Sequence, residues 1–318
     1  PHSMTLGVTN YEIENDSSQG GHMFQFLLAV LSLLCGWQTA LAAPWELPPG
    51  VKTLTVNGYP MAFLERGEGQ TVVLVHGAGV DYRHWQAQTA KPPPGFRFIA
   101  VSLRHYYPEP WNGKGDTFSI QQHANDLAAF IERLNFGPVF LVGHSRGGIV
   151  TFRMAQARAD LVRKLILMEP GFGALVQSSA PPEGGGRLAA IRKAVATRFE
   201  QGDIDGGLEL FADRNAPGIW KRSSEERRQI SRDNAWTLIA SRPGVPVTCE
   251  ELAALKMPVA LIQGETTPRV NADIVEAAHK CLPSASRAVI PNAGHGMHAA
   301  TTGNPAAFDA VLLKFLSN

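Results

Sequence analysis

The sequence predicts an α/β architecture: a mostly parallel central sheet with helices on both faces, interrupted once by an all-helical insertion. Three features lead there. From about residue 51 onward, short apolar runs alternate with stretches spaced as amphipathic helices. The runs TVVLVH, RFIAVS, PVFLV, KLILM and PVALI are continuous rather than alternating, as expected of strands covered on both faces. Residues 170–250 hold helical patterns and no strand-like run.

Each element has its own signal. Val51–Val56 and Tyr59–Leu64 form an opening hairpin turned at Asn57-Gly58, a dipeptide that tolerates the left-handed backbone of a tight turn. Thr71–His76 and Arg97–Ser102 are buried strands. Ser119 to Leu134 carries Ile120, Ala124, Leu127, Phe130, Ile131 and Leu134 at helical spacing. Pro138–Val142 is a strand, Ile149–Ala157 a helix and Lys164–Met168 a strand. The insertion has Gly/Pro-rich edges at Ser179–Gly186 and Arg242–Pro246. Between them, helices are expected through Leu188, Ile191, Ala194, Val195 and Phe199, over Gly207–Ala212 and over Ser224–Leu238. Phe199, Leu210, Phe211, Trp220 and Trp236 should mostly pack the insertion's own core, with one or two facing a pocket. Pro258–Ile262, helix Ala272–Lys280, strand Arg287–Ile290 and helix Pro305–Leu316 complete the chain.

Composition narrows the function. The chain has 318 residues, 44% hydrophobic and 18% charged, which is enough apolar mass for a sizeable core. A wholly disordered, collagenous or coiled-coil chain is excluded. The formal charge of +1 gives no support to a nucleic-acid partner. Three Cys with no C-x-x-C pair make neither a disulfide scaffold nor a zinc cluster.

Residues 1–22 are polar and turn-rich and suit an expression leader, with the natural start at Met23. In residues 23–42 the dense apolar part, Phe26 to Cys35, has the length of a signal-peptide core and is short for a span of about 20 residues. Ala40-Leu41-Ala42 supplies a small-x-small cleavage pattern, which places the cut after Ala42. No Lys or Arg precedes the apolar part, so an uncleaved N-terminal anchor is the alternative. Cleavage predicts a secreted or periplasmic chain with no stable membrane partner. Loss of Glu12, Glu14 and Asp16 moves its charge from +1 to +4. Cys249 and Cys281 would then meet an oxidising compartment, either paired or as two free buried thiols.

Gly143-His144-Ser145-Arg146-Gly147 fits G-x-S-x-G. The pattern alone is weak, but a strand ends directly before it and a helix starts after it. A serine on so sharp a turn is forced out of the sheet, and flanking glycines remove side chains that would clash. Ser145 is the candidate nucleophile. His76-Gly77-Ala78-Gly79 follows an earlier strand, where a Gly-rich turn can aim an amide at an oxyanion. The expected donors are the backbone N–H groups of Ala78 and Arg146. The candidate base is His295, in the loop after the last strand, with His298 as competitor. His144 should point away from the nucleophile. The Arg146 side chain either steers an anionic substrate or pairs with a carboxylate of the insertion. Tyr82 and Trp85 are pocket candidates, though plain helix packing is the favoured reading for both. No metal set stands out and no cofactor is expected.

Taken together, these motifs resemble the α/β-hydrolase fold over residues 50–318. The resemblance implies a core of residues 43–169 and 251–318, a helical lid at 170–250, and a Ser-acid-His triad at the carboxyl ends of the strands. One position departs from the pattern. Family members commonly carry Asp after the seventh strand, where Gly264-Glu265-Thr266-Thr267-Pro268 places Thr267 instead. Some members carry the acid after the sixth strand. Glu169 ends that strand here, and a Glu there would be partly buried and in need of a partner. Glu169 is the preferred acid and Glu265 the alternative.

The leading expectation is a serine hydrolase acting on a carboxylic ester, lactone or related small-molecule acyl compound. A C–C hydrolase or perhydrolase would use the same site. The alternative from another class is a catalytically weak ligand-binding protein, suggested by Thr267. One contact discriminates: a Glu carboxylate on the His295 ring nitrogen that faces away from Ser145.

Overall fold

The computed structural model describes residues 43–176, 183–214, 216–240, 245–301 and 303–317. The proposed leader and signal segment, residues 1–42, lie outside them. Eight strands form one sheet: β1 (Val51–Val56), β2 (Tyr59–Gly67), β3 (Gln70–Val75), β4 (Phe96–Val101), β5 (Val139–His144), β6 (Val162–Met168), β7 (Val259–Gly264) and β8 (Ser286–Ile290). Their order is β1-β2-β4-β3-β5-β6-β7-β8. β1 and β2 pair antiparallel, as does β2 with β4, and every later pairing is parallel. Strands β3, β5 and β7 are buried almost end to end, which is why their sequences are unbroken apolar runs.

Eleven helices are described: α1 (Gln86–Ala90), α2 (Ile120–Leu134), α3 (Arg146–Ala157), α4 (Glu183–Glu200), α5 (Ile204–Asp213), α6 (Ile219–Arg222), α7 (Glu225–Asp233), α8 (Thr237–Ala240), α9 (Cys249–Ala253), α10 (Arg269–Cys281) and α11 (Pro305–Ser317). Local chemistry sets their ends. Ser119 caps α2 by accepting from the Gln122 amide, and Asn135 closes it in the left-handed region. Thr248 and Glu251 form a reciprocal capping box on α9.

Two apolar clusters lie on opposite faces of the sheet, as alternate strand residues point to opposite sides. A third cluster, with Val195, Phe199, Leu208, Trp220, Ala235 and Leu238, belongs to α4–α8. Those helices all fall between β6 and β7.

The expected helix over Ser224–Leu238 is two helices, α7 and α8. Asn234 explains the break. Its side chain donates to Asp81 Oδ2 (2.7 Å) and to the Ile230 carbonyl (2.7 Å), and accepts from the Tyr107 amide (2.9 Å). A side chain tied to three distant and local partners overrides continued helical spacing. The short helices α6 and α9 had no periodic signal because neither completes two turns.

Cys249, the first residue of α9, and Cys281, the last of α10, form a disulfide.

Candidate active site

Ser145 sits between β5 and α3 with φ 52° and ψ −116°, a backbone geometry that a non-glycine residue holds only under constraint. The constraint comes from its neighbours. Its amide donates to the Met168 carbonyl (2.9 Å), and its carbonyl accepts from Gly148 and Gly171. The flanking glycines are required by space. A Cβ on Gly143 would lie 2.2 Å from Thr151 Oγ1, and one on Gly147 2.4 Å from the His76 carbonyl. Ser145 precedes a helix yet spends no side-chain hydrogen bond on capping it. Its hydroxyl is therefore available at the cavity wall.

That cavity measures about 270 Å³ and is lined by Ser145, His295, Ala78 and Gly77 among others. Ala78 brings its amide to the site on the turn after β3. Arg146 is the first residue of α3, where an amide has no carbonyl one turn below to bond. Its side chain does neither of the things expected. It is buried, with Nη1 2.9 Å from His123 Nδ1 and the guanidinium 4.6 Å from the Phe118 ring centre, and it does not line the cavity.

His295 stands in the loop after β8, at the cavity wall. Its Nδ1 lies 2.5 Å from Glu169 Oε2. Glu169 follows β6 directly and is 3% exposed, with φ 39°, another left-handed residue at a strand end. That turn carries its side chain across the end of β7. There Gly264 N–H donates to Oε1 (2.8 Å), and Thr267 Oγ1 (2.7 Å) and Asn271 Nδ2 (3.0 Å) donate to Oε2. Burial pushes the Glu169 carboxyl up. The His295 hydrogen bond and charge, with the Gly264 and Thr267 donors, outweigh it and hold the group below its ordinary value. Thr267 stands where the family commonly has Asp, and it donates to the Glu169 carboxylate instead. Glu265 faces away, with Oε2 accepting from the Asn292 amide (2.8 Å). Among the described residues the Ser145 hydroxyl makes no hydrogen bond to His295, a gap common before substrate arrives.

The structure corrects one further expectation and decides between two readings at Tyr82, Trp85 and His298. His144 does not point away from the site. Its ring lines the cavity, lies 4.6 Å from the His295 ring centre, and donates through Nε2 to the His295 carbonyl (2.8 Å). Tyr82 and Trp85 do not line the cavity; both are buried in the core, Trp85 against His298. His298 is likewise buried, on His84 and Trp85. Of the insertion's apolar residues, Phe211 and Trp220 reach the cavity, whereas Phe199 and Trp236 pack on each other.

Sequence reasoning missed several positioning residues. His76 accepts from the Leu103 amide at Nε2 (3.1 Å), so Nδ1 carries the proton and donates to the Gly77 carbonyl (2.8 Å). Burial lowers this ring to about 4, so it stays neutral and fixes the Ala78 turn. Asn271 lies one turn after Thr267 on α10, a spacing with no meaning until Glu169 is placed. His84, His144 and His298 bring one ring nitrogen each within 4.8 Å of one another. Burial, with the Arg227 charge next to it, holds all three well below the ordinary imidazole value. The set has no carboxylate, and the nearby guanidinium opposes a second cation.

An eight-stranded, mostly parallel sheet, a serine on a strained strand–helix turn and a carboxylate-held histidine define the α/β-hydrolase class. The chain belongs to the alpha/beta hydrolase family, whose model matches residues 72–311. It is 28% identical over 251 residues to the AB hydrolase superfamily protein YisY of Bacillus subtilis, covering 72% of this chain and 86% of that protein. Among solved structures it resembles a thermophilic esterase from Thermogutta terrifontis (24% identity, TM-score 0.63, 84% of this chain and 97% of that one). It also resembles an epoxide hydrolase from Bacillus megaterium (20% identity, TM-score 0.66, 84% and 100%).

Proposed function

We propose that this hydrolase is a serine esterase acting on a carboxylic ester, lactone or related small acyl compound. The observation that carries the reading is the 2.5 Å contact between Glu169 and His295 Nδ1 on a wall shared with Ser145. With Nδ1–H given to Glu169, Nε2 is the basic nitrogen. Ser145 Oγ attacks the acyl carbon and its proton passes to His295 Nε2. The amides of Ala78 and Arg146 receive the oxyanion. His295 then protonates the departing alkoxide, and water, activated by the same ring, releases the acid from Ser145. Glu169 stabilises the imidazolium in both steps.

Serine at the elbow argues against epoxide opening, in which a carboxylate nucleophile is wanted. The Glu169 contact supports the esterase reading over the binding-protein one, which was suggested by Thr267. C–C bond or peracid chemistry stays open to the same residues. Helices α4–α8 act in this reading as the lid. An exported mature chain is supported by the signal-like segment at 23–42 and by the Cys249–Cys281 bridge.

The test is the initial rate on p-nitrophenyl butyrate beside Ser145→Ala. A rate well above buffer that vanishes in the variant is expected. Equal rates in the two proteins would sink the reading.

A further inference from the structure

The cavity's charge is uneven. Two arginines from the insertion line it: Arg214, just after α5, and Arg227, in the first turn of α7. No Asp or Glu is among its described lining residues. Nor does either guanidinium form a salt bridge with any described carboxylate.

The contrast within α7 is sharp. Arg228 pairs with Glu225, and Arg232 pairs with both Glu225 and Asp205. Asp233 is taken by Arg83. The helix therefore has acids to spare for its outer arginines and leaves the cavity-facing one without. Arg214 is held in place by its own segment: Nη1 donates to the Phe211 carbonyl (2.5 Å), and the guanidinium lies 3.6 Å from the Phe211 ring centre. Such stacking fixes a guanidinium plane and leaves its remaining N–H groups free to bond. Burial without a counter-ion lowers both arginines to about 10, with Arg192 adding to the effect on Arg214 and Asp81 partly offsetting it on Arg227. Both are still charged at neutral pH. Both side chains are half-buried, and a cation partly withdrawn from water is stabilised when an anion joins it. Histidines His84 and His144 on the same wall are neutral and supply no anion.

We infer that the substrate carries a free carboxylate, received by Arg214 and Arg227 while Ser145 attacks the acyl carbon elsewhere in the same molecule. The planar guanidinium fork matches a carboxylate in two parallel hydrogen bonds. A cavity of about 270 Å³ fits a short chain between the two ends. The reaction rests on the serine esterase reading; the binding rests on the cavity alone.

Two substrate pairs test it. One is the p-nitrophenyl monoester of glutaric acid against p-nitrophenyl valerate, with the carboxylate on the acyl side. The other is 4-carboxyphenyl butyrate against phenyl butyrate, with it on the leaving side. In the wild-type protein at low salt, kcat/KM should favour the acidic ester at least tenfold in one pair, since a hydrogen bond to a charged group is worth about tenfold to a hundredfold. Arg214→Gln and Arg227→Gln should each shrink that ratio at least fivefold. Arg227→Lys, which keeps the charge but not the fork, should fall between Arg227→Gln and the wild-type protein. The ratio compares two esters on one protein, so partial misfolding does not mimic the result. Parity in both pairs in the wild-type protein overturns the inference, as does a preference that both Gln variants keep. Should no ester be turned over, calorimetry with glutarate and inorganic phosphate decides. Salt-sensitive glutarate binding lost in the Gln variants upholds the carboxylate site without the esterase. No glutarate binding, or phosphate alone binding, refutes it.

Discussion

Glu169 shows how one side chain can hold several groups in place. It takes four hydrogen bonds at the ends of β6 and β7, and its own amide is tied to Ile262 across the sheet (3.0 Å). Glu169→Gln keeps the shape but removes the charge that holds His295 in the productive tautomer. It should lower kcat by roughly 10³- to 10⁴-fold with the fold intact, as losses of a triad acid do. Thr267→Val removes one donor to the carboxylate and should cost roughly three- to tenfold in kcat. Steady-state kinetics with a thermal melt of each variant checks both, and a full-rate Glu169→Gln protein would dismiss Glu169 as the acid. Glu169 was legible because an acidic residue ending a buried parallel strand demands an explanation. The Arg146 side chain was misplaced, and Tyr82 and Trp85 were left between two readings, for the opposite reason. An aromatic or a cation next to a motif can turn toward the site or into the core, and neighbours distant in sequence decide which. Arg146 turned inward because His123 and Phe118, both on or beside α2, receive it.

Strands were the most legible elements, because β3, β5 and β7 are buried almost end to end and the buried halves of β4 and β6 are apolar runs. Helices of the insertion were less so. Their ends are set by tertiary bonds such as those of Asn234, which no periodicity carries. The pairing of Cys249 with Cys281 was equally open, since spacing says nothing of the approach of α9 to α10. That bridge closes a loop with a sequence separation of 32 residues. Chain-entropy reasoning gives it roughly 3–4 kcal/mol of stabilisation. Cys249→Ala with Cys281→Ala should lower Tm by roughly 6–12 °C. Thiol titration of the unfolded wild-type protein should find both cysteines blocked. Two free thiols and an unchanged Tm would refute the bridge.

At the scale of the molecule, the described structure buries five histidines as neutral rings: His76, His84, His123, His144 and His298. Burial depresses each of them, His76 to about 4. In the unfolded chain each takes up a proton near pH 6.5. Below that pH the unfolded state binds more protons, so stability is complete above about 6.5 and falls as pH drops. For His76 this removes roughly 2.5 kcal/mol by pH 4.5. The other four rings act in the same direction, against the roughly 5–15 kcal/mol that holds most domains folded. Thermal melts followed by tryptophan fluorescence should therefore show Tm falling steadily from pH 7 to pH 4.5. A constant Tm from pH 7 to 4.5 would contradict it. The last consequence comes from where the cavity walls originate. The reacting residues stand at the ends of β5, β6 and β8, separated along the chain by as much as 150 positions. The walls that would choose the substrate (Leu208, Phe211, Arg214, Trp220, Arg227) come from one unbroken stretch between β6 and β7. Under the proposed esterase function, selectivity is thus a cassette: exchanging that stretch alone should re-address the protein to other acyl compounds while the residues at the strand ends stay as they are.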